Sequence, residues 1–336
     1  MTRVPPEAVR LLNGFRGFQL VVAACRLGLP DIVAAAPAGA EELATRTQTS
    51  PDAMRRFLRG LATWGFFAED ADRRYSATVI SDAFRSDRPG LRNVALMLSD
   101  EGYSTWGDLM YSLRTGGTAF EHLHGMSRWQ ALAQNPAAAA VFNAAMVELT
   151  NRVANEFVAA YDFASATTVM DVGGGTGTLL ATVLRANPSL RGFLLDLPAG
   201  LAQATDAMRA AGVADRVQLV EASFFESLPA RADVYLLKSI IHDWADEYAK
   251  QILASCRAGM VADARLVLLE RVVPARIAGE DYELAAVMSD LHMMVLLGGR
   301  ERTSAEYTAL LAASGLRLTR TIELPSDFYA LEAQLA

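Results

Sequence analysis

The sequence lacks the features that mark secreted, membrane or thiolate-metal proteins. It has two cysteines, Cys25 and Cys256, which form no CxxC pair, so neither a disulfide framework nor a thiolate metal site is indicated. No apolar run approaches the ~20 residues that a membrane-spanning helix needs, and the first ten residues lack the apolar core of a signal peptide. We therefore expect a cytoplasmic protein with two free, buried thiols.

Positive charge is also scarce. The formal net charge is −7 at pH 7, which argues against a nucleic-acid partner that depends on a basic face. Between Gly39 and Tyr75 six acidic residues balance six arginines, whereas a protein that reads duplex DNA needs net positive charge. We expect a small-molecule ligand instead. What the chain does have is a hydrophobic content of 52% over 336 residues, enough for a large core and about two domains.

The first part of the chain has the pattern of short helices followed by a pair of strands. Ser50 and Pro51 suit the start of a helix and Gly65 suits its end, which predicts a helix over 52–64. Two short strand candidates, GFFAED and RRYSAT, come next. This order is similar to a winged helix, so a winged-helix regulator that senses a small molecule stays open as an alternative function.

A helical stretch rich in alanine follows over residues 91–161, and we interpret it as a connector. Its large apolar side chains suit either a core or the wall of an apolar substrate pocket. The pocket candidates are Trp106, Trp129, Phe142 and Met146.

Short apolar segments alternate with helical stretches after Tyr161. The strand candidates are TTVMDV, GFLLDL, RVQLVE, ADVYLLKS and ARLVLLE. Apolar strands that alternate with helices indicate a parallel sheet covered on both faces. We therefore predict an α/β fold with a Rossmann-like catalytic sheet in residues 162–336, the helical connector over 91–161 and a mainly helical, winged-helix-like domain over 1–90.

A glycine-rich loop follows the first of these strands, in VMDVGGGTGTLL. Gly173, Gly175 and Gly177 read as GxGxG, which permits a tight turn and lets a ligand lie against bare backbone. Asp196 ends the second strand, where a carboxylate can accept both hydroxyls of a ribose. A pyrophosphate suits the longer GxGxxG pattern. The loop therefore favours S-adenosylmethionine over a nicotinamide dinucleotide, and a nicotinamide dehydrogenase stays an alternative.

Six sequence motifs then occur in order between residues 171 and 303: DVGGGTG, LLDLP, ASFFESLP, YLLKSIIHDW, LLERVVP and GGRERT. Together they resemble the small-molecule O-methyltransferases of the plant caffeate and hydroxyindole type, and more closely the bacterial enzymes that methylate phenols of natural products. The resemblance extends over nearly the whole chain, because those enzymes also begin with a winged-helix-like dimerisation region and a helical connector. It implies a homodimer that uses S-adenosylmethionine and no metal.

The resemblance also implies roles for the residues that match the cofactor motifs. Asp196 would hold the ribose hydroxyls, and Phe224 and Phe225 would sandwich the adenine. At a position where the family often has an acid, this chain has Ser223, whose hydroxyl takes that place. The cofactor-binding set is Gly173, Gly175, Gly177, Asp196, Leu197, Ser223, Phe224, Phe225 and Lys238.

His242 in the motif YLLKSIIHDW matches the catalytic histidine of the family. A phenol with a pKa near ~10 is a poor nucleophile at neutral pH, and an imidazole near ~6.5 can take its proton as the oxygen attacks the methyl group. Glu270 and Glu301 match the two family acids that flank this histidine. A carboxylate beside an imidazole fixes its tautomer and raises its pKa, so we predict that both touch His242.

The segment YELAAVMSDLHMMVLL predicts a helix that lines the acceptor pocket, because methionine side chains adapt to flat apolar ligands. Core packing is the alternative. The candidates there are Met288, Asp290, His292 and Met293. Hydroxylation or decarboxylation with the same fold and cofactor is an alternative reaction, although the three catalytic residues argue against it.

His122 and His124 form an HxH pair in a loop flanked by glycine. The sequence has no third ligand at metal spacing beside them. We therefore predict no metal site there.

Overall fold

The computed structural model describes residues 4–226, 228–229 and 231–336, so Ser227 of the motif ASFFESLP lies outside the described residues. The chain divides into two units. The first comprises the residues up to Tyr103 together with Ala140–Leu149, and the second comprises Ser104–Ala139 together with Thr150–Ala336. The three-part division at residues 90 and 161 stays a prediction.

Short helices and a small sheet form the first unit. The sheet is antiparallel with the strand order β1-β3-β2, and the helix pair α3–α4 followed by the β2–β3 hairpin has the order of a winged helix. The elements are α1 (Pro6–Arg26), α2 (Leu29–Ala35), β1 (Ala38–Gly39), α3 (Ala40–Thr47), α4 (Pro51–Thr63), β2 (Phe67–Glu69), β3 (Arg74–Ala77), α5 (Val79–Asp82), α6 (Arg92–Met97) and a π-helical turn at Leu98–Gly102.

Helix α4 shows why the local sequence predicts its own bounds. The hydroxyl of Ser50 accepts a hydrogen bond from the backbone N–H of Ala53, and proline occupies the first helical position. Gly65 follows the helix with a φ of 72°, a conformation that glycine adopts without steric cost. Met54 and Leu58 face the core of this unit. The helix predicted over 52–64 is confirmed within one residue at each end.

The second unit carries the large sheet. Helices α7 and α11 each contain residues of both units. The helices are α7 (Tyr103–Trp106), α8 (Leu109–Thr115), α9 (Ala119–His124), α10 (Arg128–Gln134), α11 (Pro136–Ala160), α12 (Thr178–Ala186), α13 (Pro198–Leu201), α14 (Ala204–Ala210), α15 (Asp246–Gly259), α16 (Asp281–Leu296) and α17 (Ser304–Ala313). The strands are β4 (Thr168–Val172), β5 (Arg191–Asp196), β6 (Val217–Glu221), β7 (Val234–Lys238), β8 (Arg265–Glu270), β9 (Leu316–Glu323) and β10 (Tyr329–Leu335).

The large sheet has the order β6-β5-β4-β7-β8-β10-β9. Strands β4 to β8 pair in parallel, which confirms the predicted parallel core. The prediction of a parallel sheet is incomplete, however, because β10 pairs antiparallel with both β8 and β9. Strand β9 has the sequence LRLTRTIE and exposes most of its side chains at the sheet edge, so it lacks the apolar run that identifies the central strands.

The two faces of the sheet bury separate cores. Val169 and Leu236 belong to one hydrophobic cluster, and their chain neighbours Met170 and Leu237 belong to the other, as the alternation of a strand requires. The chain runs outward from β4 to β6 and then returns to β7 on the other side of β4. In open α/β sheets, ligands bind at the carboxyl ends of the strands beside such a reversal.

No single helix within the described ranges is long and apolar enough to cross a membrane. Helices α1 and α2 together have the length and composition of a membrane span, but they are bent by 68° where they meet. The cytoplasmic location stays a prediction.

Candidate active site

The glycine loop begins at the carboxyl end of β4. Gly175 and Gly177 have φ angles of 56° and 81°, in the left-handed region that favours glycine. A Cβ on Gly175 would meet no atom within 4 Å, whereas a Cβ on Gly177 would lie 2.6 Å from Cε of Met208. Gly175 therefore faces open space against which a ligand can lie, and Gly177 is required by internal packing.

Asp196, at the end of β5, contacts this loop directly. Its Oδ2 accepts a hydrogen bond from the N–H of Gly175 over 2.8 Å, and its Oδ1 accepts one from the N–H of Leu197 over 2.7 Å. Burial raises the pKa of the carboxyl group. Each oxygen keeps a second lone pair, so the carboxylate can still accept from a ligand. The side chain of Leu197 is 55% exposed.

An aromatic cluster follows β6. The rings of Phe224 and Phe225 lie 5.0 Å apart, and Trp244 meets Phe225 edge-on at 4.8 Å. The Ser223 hydroxyl accepts a hydrogen bond from the N–H of Phe225 over 3.2 Å. A Cβ on Gly173 would lie 3.3 Å from the ring of Phe224, so the cluster borders the glycine loop.

Two ionisable groups lie at the ends of β4 and β7, the buried Asp171 and the half-buried Lys238. Burial raises the pKa of Asp171 to about 7, and its Oδ2 has no hydrogen-bond partner within the described part of the chain. Burial, with the nearby charge of Arg271, lowers the pKa of Lys238 to about 8. The Nζ atom of Lys238 lies 5.6 Å from the ring centroid of Phe328. A buried carboxylate oxygen without a partner is costly, and a polar ligand group would satisfy it.

His242 lies in a 3₁₀ turn, Ile241–Asp243, directly after β7. Its Nδ1 is 2.7 Å from Oε1 of Glu301 and 3.6 Å from Oε2 of Glu270. Its Nε2 is 3.3 Å from Oδ1 of Asp243. Carboxylates therefore surround the ring, which is 7% exposed.

These charges set the protonation state of His242. Burial alone disfavours the protonated ring, but the negative charges of Glu301, Glu270 and Asp243 outweigh it and raise the pKa to about 10. For Asp243 burial dominates and raises the pKa to about 6. For Glu301 burial acts upward, and the His242 cation with its hydrogen bond brings the pKa below the usual range. Without ligands, His242 is protonated at neutral pH.

The two glutamates are held by different contacts. Oε1 of Glu270, which is fully buried, accepts hydrogen bonds from the N–H groups of Ile240 and Ile241. Glu301 accepts the Ser289 hydroxyl on the same oxygen that faces His242, over 2.7 Å. Both glutamates keep one buried oxygen, Oε2, without a hydrogen-bond partner among the described residues. Glu270 thus anchors the backbone before His242, and Glu301 is bonded to the ring itself.

The same three groups have the geometry of a possible ion site. One ligand atom each from His242, Glu270 and Glu301 lies within 4.8 Å of the others. Nδ1 of His242 and Oε1 of Glu301 are 2.7 Å apart, which is a hydrogen-bond distance, so a shared proton already neutralises part of this cluster.

His122, from the HxH pair of the sequence, has other contacts. Its Nδ1 pairs with Asp108 over 2.7 Å, and its ring stacks on Tyr111.

Arg302 was missed by the sequence reasoning. It is 1% exposed, and its five N–H donors hold the turn that carries the histidine. Nη1 donates to the carbonyls of Ile241 and Arg300, Nη2 donates to the carbonyl of Trp244, and Nε and Nη2 donate to Oδ1 of Asp246. In the sequence, Arg302 stands out only because it follows Glu301 in GGRERT, and that position does not reveal where its N–H groups point.

Gly299 and Arg300 of the same motif also hold this turn. The N–H of Arg300 donates to the carbonyl of His242 over 2.9 Å. A Cβ on Gly299 would overlap that carbonyl, so the close approach of the two backbones requires glycine.

The residues predicted for the acceptor pocket fall into different places. Nε1 of Trp106 donates to Nδ1 of His292 over 3.1 Å. Oδ1 of Asp290 accepts from the N–H of Glu301 over 3.0 Å and so supports the backbone of the segment that carries Glu301. Met293 is buried and Met288 is exposed. Trp129 is half-buried in the second unit, and the half-buried Phe142 and Met146 belong to the first unit.

Comparison with known proteins identifies the family. The O-methyltransferase domain family matches residues 106–317, and the O-methyltransferase dimerisation domain matches residues 9–87. The chain is an S-adenosylmethionine-dependent O-methyltransferase of this family. The family match supports neither the nicotinamide dehydrogenase nor the winged-helix regulator that senses a small molecule.

Relatives of this O-methyltransferase span its whole length. Phenazine O-methyltransferase PhzM of Lysobacter antibioticus is 38% identical over 327 residues, 97% of this chain and 95% of that protein. The crystal structure of LaPhzM superposes with a TM-score of 0.92 at 38% identity and covers 99% of this chain and 100% of its own. NcsB1, from neocarzinostatin biosynthesis, superposes with a TM-score of 0.83 at 29% identity and 100% coverage of both chains, in a complex with S-adenosylmethionine and 2-hydroxy-5-methyl naphthoic acid.

Proposed function

We propose that this enzyme transfers the methyl group of S-adenosylmethionine to a phenolic hydroxyl of an aromatic natural product, with His242 as the general base. The observation that carries the proposal is the 2.7 Å hydrogen bond between His242 and Glu301. It fixes an imidazole whose Nε2 is directed away from Glu301, on the side of Asp243, in the turn that follows β7. A base held in one orientation is what proton abstraction from a bound hydroxyl requires.

The cofactor site suits S-adenosylmethionine on three observations of the structure. Gly175 faces open space, the carboxylate of Asp196 keeps free lone pairs, and Asp171 has an unsatisfied buried oxygen. We assign the ribose to Asp196 and the adenine to the ring cluster. The residues proposed to hold the cofactor are Gly173, Gly175, Gly177, Asp196, Leu197, Ser223, Phe224, Phe225 and Lys238.

The bound cofactor supplies an electrophilic methyl group on a positively charged sulfur. The residues around His242 suit a neighbouring cation, because Glu270, Glu301 and Asp243 surround a single imidazole. A positive charge close to these carboxylates offsets part of their field and lowers the pKa of His242 toward neutrality.

His242 must be neutral to accept a proton. Its pKa of about 10 would leave the ring protonated at neutral pH, so the lowering by a neighbouring positive charge is what makes the neutral form available. A phenol, with a pKa near ~10, that is bound to the neutral ring passes its proton to Nε2 as the oxygen becomes nucleophilic. Glu301 then stabilises the imidazolium that forms.

The acceptor is proposed to be a flat, mainly apolar aromatic molecule. One relative is named for phenazine and the NcsB1 structure contains a naphthoic acid, and both compounds are fused aromatic ring systems. The proposed pocket residues are Trp106, Trp129, Phe142, Met146, Met288, Asp290, His292 and Met293. Of these, Asp290 also accepts a hydrogen bond from the backbone of Glu301.

We also propose a homodimer formed through the N-terminal domain. The dimerisation family matches this region, and helix α1 exposes large apolar side chains, Val9, Leu11, Leu12 and Phe15. Light scattering after gel filtration tests this, and a monomer at micromolar concentration would contradict it.

The decisive experiment combines purified protein, S-adenosylmethionine and a panel of phenols, with products identified by mass spectrometry. We expect a mass gain of one methylene for the wild type and its collapse in His242→Ala, while cofactor binding measured by calorimetry stays intact. Dialysis against EDTA should leave the rate unchanged, in line with the predicted absence of a metal. A gain of one oxygen, a loss of carbon dioxide, or full activity of His242→Ala would overturn the mechanism.

A further inference from the structure

The hydrogen bond between Trp106 and His292 determines which ring nitrogen of His292 carries a proton. An indole N–H can only donate, so Nδ1 of His292, 3.1 Å from Nε1 of Trp106, must accept and therefore has no proton. The planes of the two rings are nearly parallel, at 18° to each other, and the ring centroids are 6.3 Å apart. Nε2 is then the protonated nitrogen.

The ring of His292 is kept neutral by its surroundings. Burial, followed by the positive charges of Arg128 and His242, lowers its pKa to about 4. A protonated ring would also place an N–H against the N–H of Trp106. His292 is consequently a neutral donor at every pH at which the enzyme is expected to work.

The position of His292 on α16 brings this donor to the catalytic side of the helix. Ser289, one turn earlier, donates to the Oε1 atom of Glu301 that is bonded to His242. Residues three apart lie on one face of a helix, so His292 and Ser289 share the face directed at this cluster. Nε2 has no hydrogen-bond partner in the part of the chain that the structure describes, and it is not one of the fully buried polar atoms there.

We propose that His292 orients the substrate through Nε2–H and selects aromatic hydroxy compounds that carry a second oxygen acceptor, a carbonyl or a carboxylate. This inference rests on the proposed function, since it concerns the acceptor of the same site. A side chain that donates to a substrate oxygen discriminates against analogues without that oxygen, because its donor is then left unpaired.

Three matched naphthols test the proposal. The probes are 1-hydroxy-2-naphthoic acid with a carboxylate, 1-hydroxy-2-acetonaphthone with a neutral carbonyl, and 1-naphthol with neither. We expect the wild type to bind each acceptor-bearing compound about ten- to one-hundred-fold more tightly than 1-naphthol, as for one hydrogen bond to a desolvated oxygen. The relative affinities of the acid and the ketone show which oxygen is preferred.

The variants isolate the donor. His292→Leu should reduce the preference to near one, and the preference is read as a ratio of affinities so that a change common to all three naphthols cancels. His292→Gln, which keeps an N–H donor, should retain part of the preference, and Trp106→Phe should weaken it because either tautomer is then allowed. His122→Leu is the control, since that histidine pairs with Asp108 elsewhere.

Binding and turnover are read separately in the same samples, so the two proposals fail in different ways. A preference that disappears in His292→Leu, without methylated product, leaves this inference standing and refutes the proposed function. Equal binding of all three naphthols by the wild type, or a preference that persists in His292→Leu, overturns the inference. Labelled-histidine NMR of the wild type gives an answer independent of variant folding, because a proton on Nδ1 of His292 would also overturn it.

Discussion

Replacing Glu301 by glutamine removes one negative charge beside His242 and keeps the size of the side chain and a hydrogen-bond acceptor. In the wild type, Oε1 of Glu301 lies 2.7 Å from Nδ1 of His242. With the charge centres about 4 Å apart and an effective dielectric constant of about 20, the interaction is about 4 kcal/mol. Since one pKa unit corresponds to about 1.4 kcal/mol, the pKa of His242 should fall by about 3 units. We therefore expect it to move from about 10 to near 7.

NMR of the protein labelled at histidine measures this shift directly, because the sequence contains four histidines. Ser289→Ala is the matched control. It removes the other hydrogen bond to the same carboxylate oxygen without removing a charge, so the pKa of His242 should change by less than about 1 unit. The pH dependence of kcat/KM should show the same downward shift in Glu301→Gln, with a lower plateau because the neutral amide stabilises the imidazolium less.

The pH dependence of stability gives a second measurement. A histidine with a folded pKa above its unfolded value near ~6.5 stabilises the protein fully below that pH, and the contribution is lost as pH rises toward the folded pKa. In the wild type this loss extends from about 6.5 to about 10. Glu301→Gln should remove most of that slope. If His242 still titrates near 10 in the variant, the charge of Glu301 is not what raises its pKa, and the reasoning is refuted.

Three further substitutions test the parts that surround the histidine. Gly299→Ala places a Cβ against the carbonyl of His242 and should lower stability by about 1–3 kcal/mol with loss of turnover, while an unchanged melting temperature would contradict the close approach. Arg302→Lys leaves backbone carbonyls without donors and should lower the free energy of unfolding by about 2–4 kcal/mol. In steady-state assays kcat should change by a larger factor than KM, and equal factors for the two constants would point to a global effect. Asp196→Asn should weaken S-adenosylmethionine binding at least about tenfold, as expected for loss of hydrogen bonds to a charged acceptor, which calorimetry measures; unchanged affinity would remove Asp196 from the ribose site.

Local sequence was sufficient where neighbouring residues decide the conformation. The bounds of α4 follow from the cap at Ser50 and from Gly65, both of which act within one turn of the helix. The strands β4, β5, β7 and β8 were recognisable because strands buried on both faces are mainly apolar, and β6, at one edge of the sheet, was recognisable from its valine and leucine residues although it also exposes polar ones. The hairpin β9–β10 was not predicted, since an edge strand such as LRLTRTIE alternates with polar residues and resembles exposed loop sequence.

Sequence by itself also identified the chemical parts of the candidate site: a glycine loop followed by an acid, an imidazole, and two glutamates in ordered motifs. Their types are those that the proposed cofactor binding and proton transfer require, which is why ordered motifs indicate them. Even there, the sequence could not state that Glu301 is bonded to the ring of His242 while Glu270 mainly holds its backbone.

Only the tertiary structure decided what each polar group touches. Arg302 holds the turn of His242, Asp290 supports Glu301, and Trp106 fixes the tautomer of His292. These contacts join residues on separate helices, strands and loops. The direction of a hydrogen bond depends on where those elements meet, and residue type and spacing along the chain carry no information about that meeting.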